Sequence, residues 1–253
     1  MTVVAVLADP PRPGHALSRL AETSPLSESE AADLAEAMLG DTLRAVERSG
    51  GELLVNYCPD DLLPDPAVDP DESAEDALHR IAEDALESPE EARFEVQVGS
   101  SLSARAGNTV THLLRDEGVQ SAAVLRGDAP FVLRSTIDSA AMKLRTNDVV
   151  LGPSTDGRVY FAGFKTALDF DGAFVAPELE TLVDCANDAD ADVGFLPMQP
   201  TVRTGADLAT LVSTIRSRWQ AGRVVPERTA EFVVDNGLTV VGDAADELRV
   251  VRD

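Results

Sequence analysis

Ala122-Ala-Val-Leu-Arg-Gly-Asp128-Ala-Pro130 is the stretch on which the reading of this chain turns. Four apolar residues bounded by Ser121 and Gly127 predict a short strand buried on both faces, as in a parallel sheet. The strand ends in a polar, turn-forming tip that carries one carboxylate, Asp128. In open α/β sheets ligands sit outside the carboxyl ends of the strands, so Asp128 and the permissive Gly127 occupy a place that suits chemistry. The same tip also reads as a plain turn in which Asp128 caps the next helix. From position alone the two readings stand level.

Outward from this strand, apolar runs and amphipathic segments alternate. Val3 to Ala8, Leu53 to Tyr57, Phe94 to Val98, Asp148 to Pro153 and Val193 to Leu196 read as strands. Ser27-Glu-Ser-Glu30 has capping-box spacing and opens a long helix striped by Leu34, Met38, Leu39, Leu43 and Val46, ended by Gly50-Gly51. Further helices are expected over Ala74 to Leu86, after Gly99-Ser-Ser, over Ser135 to Leu144, from Pro177 to about Ala186, and from Thr204 or Gly205 through Trp219. Cys58 to Glu72 reads as an exposed loop. Arg158 to Phe164, returning after the turn at Ser154–Gly157, is expected to run antiparallel. The alternation predicts one doubly wound, mostly parallel α/β sheet with helices on both faces and one antiparallel strand. A domain over residues 1–222 would then be followed by a C-terminal extension, 223–253, packed on it.

Composition narrows the function. The chain has 253 residues and 44% hydrophobic content, enough for one sizeable core, but only 4% aromatic residues, which predicts Val/Leu/Ala packing. The net charge is -24, and lysine is confined to Lys143 and Lys165. Such a surface argues against nucleic acid or an anionic membrane as partner, because phosphate contacts need a basic patch. Acidity spread over many segments resembles the style of proteins from high-salt organisms, in which counterions screen the self-repulsion. Cys58 and Cys185 have no metal-ligand spacing and are expected to be unpaired thiols in a reducing cytoplasm. The apolar opening is too short for a membrane span.

Several chemistries lack their signatures: no GxGxxG opens a helix, and there is no GxxxxGK[ST], GxSxG or HExxH. His79 is expected to be exposed and His112 packed, while His15 alone lies in a candidate site loop. That loop, Asp9 to Leu20, holds three prolines, a glycine and two arginines, so Arg12 and Arg19 are candidate phosphate donors. Carboxylates and arginines remain, the equipment of a nucleotide–metal site.

The ordered motifs resemble the glycosyltransferase-like family of domain of unknown function 2064. Members are similar to GT-A nucleotide-diphospho-sugar transferases and, more remotely, to 2-phospho-lactate guanylyltransferases. The family's opening Pro-Gly-x-Val-Lys-Thr-Arg-Leu is echoed by Pro13-Gly14-His-Ala-Leu17-Ser18-Arg19-Leu20, and its Leu-x-Asp-Thr-Leu helix by Leu39-Gly-Asp41-Thr42-Leu43. Gln97, Gly99, Leu102 and Arg105 match a Gln-x-Gly-x-x-Leu-x-x-Arg signature. Gly127-Asp128-Ala129-Pro130 matches Ser-Asp-Cys-Pro after its glycine, and Leu151-Gly152-Pro153 with Asp156-Gly157 matches Leu-Gly-Pro-x-x-Asp-Gly. The echo runs from about Val3 to Leu211.

The resemblance implies a glycosyl- or nucleotidyltransferase that takes a nucleotide or sugar nucleotide. Asp128 would coordinate Mg²⁺ or Mn²⁺. Pro13, Gly14, Arg19, Arg105 and Gly127 would hold the nucleotide phosphates, and Asp156 would orient the acceptor or act as base. Three departures cut against turnover. Leu17 stands where the family has lysine. In the late Asp-x-Asp-Thr-Pro-x-Asp-Leu pattern, Thr201 and Arg203 replace both early carboxylates, while Thr204, Asp207 and Leu208 persist. A catalytically degenerate nucleotide binder and a 2-phospho-lactate guanylyltransferase-like enzyme are therefore the alternatives.

Overall fold

A computed structural model of the chain describes residues 2–244 and 248–253, so Met1 and residues 245–247 of the expected extension lie outside the described residues. Seven strands form the central sheet: β1 (Thr2–Ala8), β2 (Glu52–Tyr57), β3 (Arg93–Val96), β4 (Ser121–Arg126), β5 (Val149–Pro153), β6 (Val159–Phe164) and β7 (Val193–Phe195). Their order is β3-β2-β1-β4-β6-β5-β7. All neighbours pair in parallel except β6, which runs antiparallel to both β4 and β5. The expected class, a mostly parallel sheet with one antiparallel strand, is the observed one.

The helices are α1 (Ser18–Thr23), α2 (Glu28–Glu47), α3 (Ala74–Ala85), α4 (Leu102–Thr111), α5 (Arg134–Lys143), α6 (Glu178–Asp188), α7 (Gly205–Gln220) and α8 (Glu227–Asp235). A separate two-stranded antiparallel ribbon, β8 (Leu238–Val241) with β9 (Arg249–Arg252), follows. Period-2 alternation along the strands divides the core into two faces. Val4, Val6, Val55, Ala123 and Leu125 pack under Leu39 and Leu43 of α2, Leu78 and Ile81 of α3 and Ile137 of α5. Val3, Ala5, Leu54, Ala122 and Val124 face the other way, with Val110 of α4 and Leu182 of α6. A further cluster joins Leu34 and Met38 of α2 to α7, α8 and the ribbon through Leu211, Ile215, Val233, Leu238 and Val250.

Three expectations need correction. The core is not aliphatic throughout: Tyr160, Phe161 and Phe164 of β6 are its largest fully buried side chains. The segment after Cys58 is not a simple exposed loop, because Cys58, Leu63, Ala67 and Ala74 form a small buried cluster of their own. His112, expected to be packed, is half exposed and pairs with Asp116 and Glu117; His79 is exposed as expected, with one face of its ring stacked on Phe94 at 3.7 Å between ring centres. Among the described residues no helix is long and apolar enough to cross a membrane.

Candidate functional site

A cleft of about 180 Å³ opens at the carboxyl ends of β1 and β4. Leu7, Ala8 and Asp9 come from the end of β1, and Arg126, Gly127 and Asp128 from the end of β4. Ala35, Met38 and Leu39 of α2 form an apolar wall, while Gln97, Leu102 and Arg105 close the opposite side. Strand order reverses between β1 and β4, where the connections diverge, so this is the crevice in which an α/β sheet receives a ligand.

The cleft gathers Arg105, Gly127 and Asp128 among the expected site residues, and Leu17 with them. Pro13, Gly14, Arg19 and Asp156 do not line it. Leu17 adopts the left-handed conformation (φ 49°), uncommon for a leucine and placed on the cleft's rim. Gly127 packs closely under α2: a Cβ there would stand 3.2 Å from Leu39 Cδ1, which would have to give by a few tenths of an ångström. Asp156 is also left-handed (φ 57°), 82% exposed, and paired with Arg158. Arg12, a candidate phosphate donor, is instead buried. Its guanidinium donates to Asp60 Oδ1 (3.1 Å) and to the carbonyls of Ala67 and Glu72 (2.6 Å each). That arginine fastens the segment after β2, and both donors of Nη1 and one of Nη2 are committed there.

Asp128 sits between two guanidiniums. Arg203 Nε donates to its Oδ2 at 2.6 Å, and Arg126 Nε stands 3.6 Å from its Oδ1. Asp128 Oδ1 and Arg203 Nη2 are buried without a hydrogen-bond partner. Burial raises the Asp128 carboxyl above its ordinary pKa, while Arg126 and Arg158 pull it down. The backbone fixes both members of the pair: Val202 N donates to Asp128 O, and Arg203 N to Asp207 Oδ2. Asp207 belongs to the capping box that starts α7 with Thr204, and it also receives Arg158. Thr201, buried, exchanges a hydroxyl contact of 3.0 Å with Ser154 and so ties this segment to the turn between β5 and β6.

Glu178 was not legible as a site residue. It is 6% exposed at the start of α6, where its Oε1 accepts from Arg126 Nη1 (3.0 Å) and its Oε2 from Val159 N (2.9 Å). Sequence offers a faint signal, an acidic residue just after Pro177 in the first turn of a helix. Arg105 is the cleft's uncommitted cation. No carboxylate pairs with it among the described residues, its Nε is buried without a partner, and Nη1 reaches only Cys58 Sγ at 3.9 Å.

As arranged, these residues suit a divalent ion poorly. Mg²⁺ takes one or two carboxylates, with phosphate oxygens and water completing its shell, but Asp128 already holds Arg203 on Oδ2 and has the Arg126 guanidinium beside Oδ1. Asp9, the other carboxylate of the cleft, lies toward Cys58 and raises the thiol pKa, after the larger effect of burial, to about 11. Elsewhere Glu95, His112 and Glu117 bring ligand atoms within 4.8 Å of one another, but Arg93 already bridges both carboxylates. A larger groove of about 770 Å³ runs beside α2, bounded by Arg44, Pro130, Leu133, Trp219 and Val224.

Comparison with known proteins agrees on the fold. A provisionally assigned nucleotide-diphospho-sugar transferase from Desulfovibrio desulfuricans G20 superposes with a TM-score of 0.72, at 21% identity over 93% of this chain and 94% of that one. A cytidylyltransferase from Leptospira borgpetersenii gives 0.52 at 13% identity, over 93% and 94%. No curated protein matches the sequence. The chain therefore has the nucleotide-diphospho-sugar transferase type of fold, and its residues 66–175, which include β4 and Asp128, match the family described as an uncharacterized protein conserved in bacteria (DUF2064).

Proposed function

We propose that the cleft binds a nucleoside phosphate or sugar nucleotide and that the protein is a glycosyl- or nucleotidyltransferase. The observation that carries this reading is the placement of Arg105 and Arg126 in one crevice with the apolar wall of α2, at the ends of β1 and β4. An apolar wall suits a base or ribose, and planar guanidiniums suit phosphate oxygens in bidentate contact. Reaction at such a site rests on positioning and on neutralising the charge of a phosphate leaving group, without a covalent intermediate. Asp128 acts on Arg126 and Arg203, holding both guanidiniums in place. Asp156 stands outside the cleft lining and has no part in this mechanism.

A second reading, a binder that does not turn its ligand over, is favoured by one contact, that of Arg203 with Asp128. Both readings predict binding, and they differ in turnover. The test is a thermal-shift panel of nucleoside di- and triphosphates and sugar nucleotides. A ligand that binds only the native state raises the midpoint by mass action. Arg105→Ala should remove the shift. Release of a nucleoside phosphate or pyrophosphate by the bound ligand then separates transferase from binder. GTP preference with pyrophosphate release would mark the guanylyltransferase variant. A panel with no shift at all sinks both readings.

A further inference from the structure

We propose that this cleft takes the phosphates of its ligand without a divalent ion, and that the guanidinium of Arg203 supplies the positive charge at Asp128. The inference rests on the nucleotide-phosphate reading above and deepens it.

Three observations carry it. Arg203 Nε is 2.6 Å from Asp128 Oδ2, so a protein cation already occupies one of the two oxygens of this carboxylate. Both partners are held from behind. Val202 N donates to Asp128 O at 2.9 Å, and Arg203 N donates to the Asp207 carboxylate that caps α7. The pair is therefore preorganised by backbone, unlike a surface contact between two long side chains.

The second observation is how the neighbouring charges are shared. Arg126 is committed to Glu178 as well as Asp128, and Arg158 to Asp207 and Asp156. Arg203 has Asp128 as its one carboxylate among the described residues, and its Nη2 is buried without a hydrogen-bond partner. Arg105 has none. Arg105 lines the crevice, and Arg203, outside the lining, reaches it through Asp128; these two cations hold the least committed charge there. A guanidinium with spare donors is the side chain that recognises a phosphate in planar, two-point contact.

The third is the donor set. A divalent ion seeks oxygen ligands, and the carboxylates around Asp128 are already taken, Glu178 by Arg126 and Asp207 by Arg158. Thr201 Oγ1 is engaged with Ser154. An ion placed on Asp128 Oδ1 would lie beside Arg126 and Arg203, both of like charge. The ligand class that follows is a nucleoside diphosphate group bound as its metal-free anion.

The experiment is calorimetric titration of the whole chain with UDP, GDP and CDP, in EDTA and again with millimolar Mn²⁺. The expected result is one nucleotide that binds in EDTA with an affinity within about twofold of that with Mn²⁺. Arg203→Ala should weaken binding in EDTA by about tenfold or more, the scale of one lost charge-assisted contact. Arg203→Lys, which keeps the charge and guards against a misfolded alanine variant, should bind with intermediate affinity and still need no metal. Arg203→Asp should lose binding in EDTA and regain it with Mn²⁺. Wild-type binding that appears only with Mn²⁺ overturns the inference and leaves the nucleotide reading standing. Unchanged binding by Arg203→Ala in EDTA overturns it equally. Failure of every nucleotide under every condition removes the nucleotide reading, and this inference with it.

Discussion

The carboxylate of Asp41, midway along α2, caps α8 by way of Thr229. Asp41 Oδ2 accepts from Thr229 N at 2.9 Å and from Thr229 Oγ1 at 2.7 Å, while its Oδ1 accepts from Arg228 N at 3.1 Å. The residue before α8 is Pro226, which supplies no side-chain cap, so the helix borrows its cap from a distant element. Thr229 is fully buried. Asp41→Ala should therefore destabilise the protein by about 2 kcal/mol, between a lost cap and a lost set of charge-assisted bonds. Thr229→Val, which removes one donor of three, should cost about 1 kcal/mol. Urea unfolding measures both. Equal stability of Asp41→Ala and wild type would mean that α8 does not depend on this cap.

Arg12 yields a second expectation because it is structural where the sequence pointed to a ligand. Its side chain is 10% exposed, and it holds Asp60 and two carbonyls of the segment between β2 and α3. Arg12→Ala leaves those carbonyls without their donor, a loss of about 2–4 kcal/mol. Limited proteolysis should then cut between residues 58 and 73 faster than in wild type. Resistance equal to wild type would show that the segment is held by its own buried cluster of Leu63, Ala67 and Ala74.

Gly152, in β5, faces the ring of Tyr160 in β6. A Cβ on Gly152 would fall 2.5 Å from Tyr160 Cζ, and that ring cannot move away. Tyr160 is fully buried, and its hydroxyl donates to Pro197 O at 3.0 Å. The strand pair also shifts register between Gly152 and Pro153. Gly152→Ala should cost about 1–3 kcal/mol through overpacking, seen as a lower thermal midpoint. Gly172→Ala is the control. It has a positive φ but nothing within 4 Å, so its cost is backbone strain alone.

These positions also show what sequence can and cannot disclose. The strand through Ala122 to Leu125 was legible, because a short apolar run bounded by Ser121 and Gly127 fits a buried strand, whereas the role of the carboxylate beyond it stood level between site and turn. The capping box at Ser27 and Glu30 was legible for the same local reason. Leu39-Gly-Asp41-Thr42-Leu43 was legible as a pattern but not as a cap for residues 228 and 229, a pairing that only the folded chain brings about. Arg12 and Arg19 lie in one stretch that reads as a loop and are one residue type, and nothing local tells that Arg12 turns inward while Arg19 enters α1. Glu178 was missed because its partners, Arg126 and Val159 N, lie 52 and 19 residues away. The replacement of early carboxylates by Thr201 and Arg203 was readable as a loss. That Arg203 reaches back to Asp128 required the geometry.

Glu30 sets an acid limit on the link between α2 and the C-terminal ribbon. Arg252 Nη2 donates to Glu30 Oε2 at 2.7 Å, and Ser27 donates to the same oxygen through its N–H and its hydroxyl. These bonds, Arg252 first, hold the Glu30 carboxyl down at about 2 against an ordinary 4.5. A carboxyl depressed in the folded state contributes stability that is complete above its unfolded value. That contribution is lost as pH falls from about 4.5 through about 2. Glu30→Gln keeps an acceptor for Ser27 N and removes the charge, so the difference between variant and wild type isolates the ionic part. About a quarter of the Glu30 side chain and more of Arg252 remain exposed, and solvent screening limits the gain to about 1 kcal/mol at pH 7. The difference should shrink through the stated pH window and vanish below it, whatever the other carboxylates of this acidic chain contribute, because those cancel between the two proteins. It should also shrink in molar KCl, where the Debye length falls to about 3 Å. Denaturant melts of both proteins between pH 7 and pH 2 make the comparison, and a difference constant across that range would place the stabilising effect in the capping geometry and not in the ion pair.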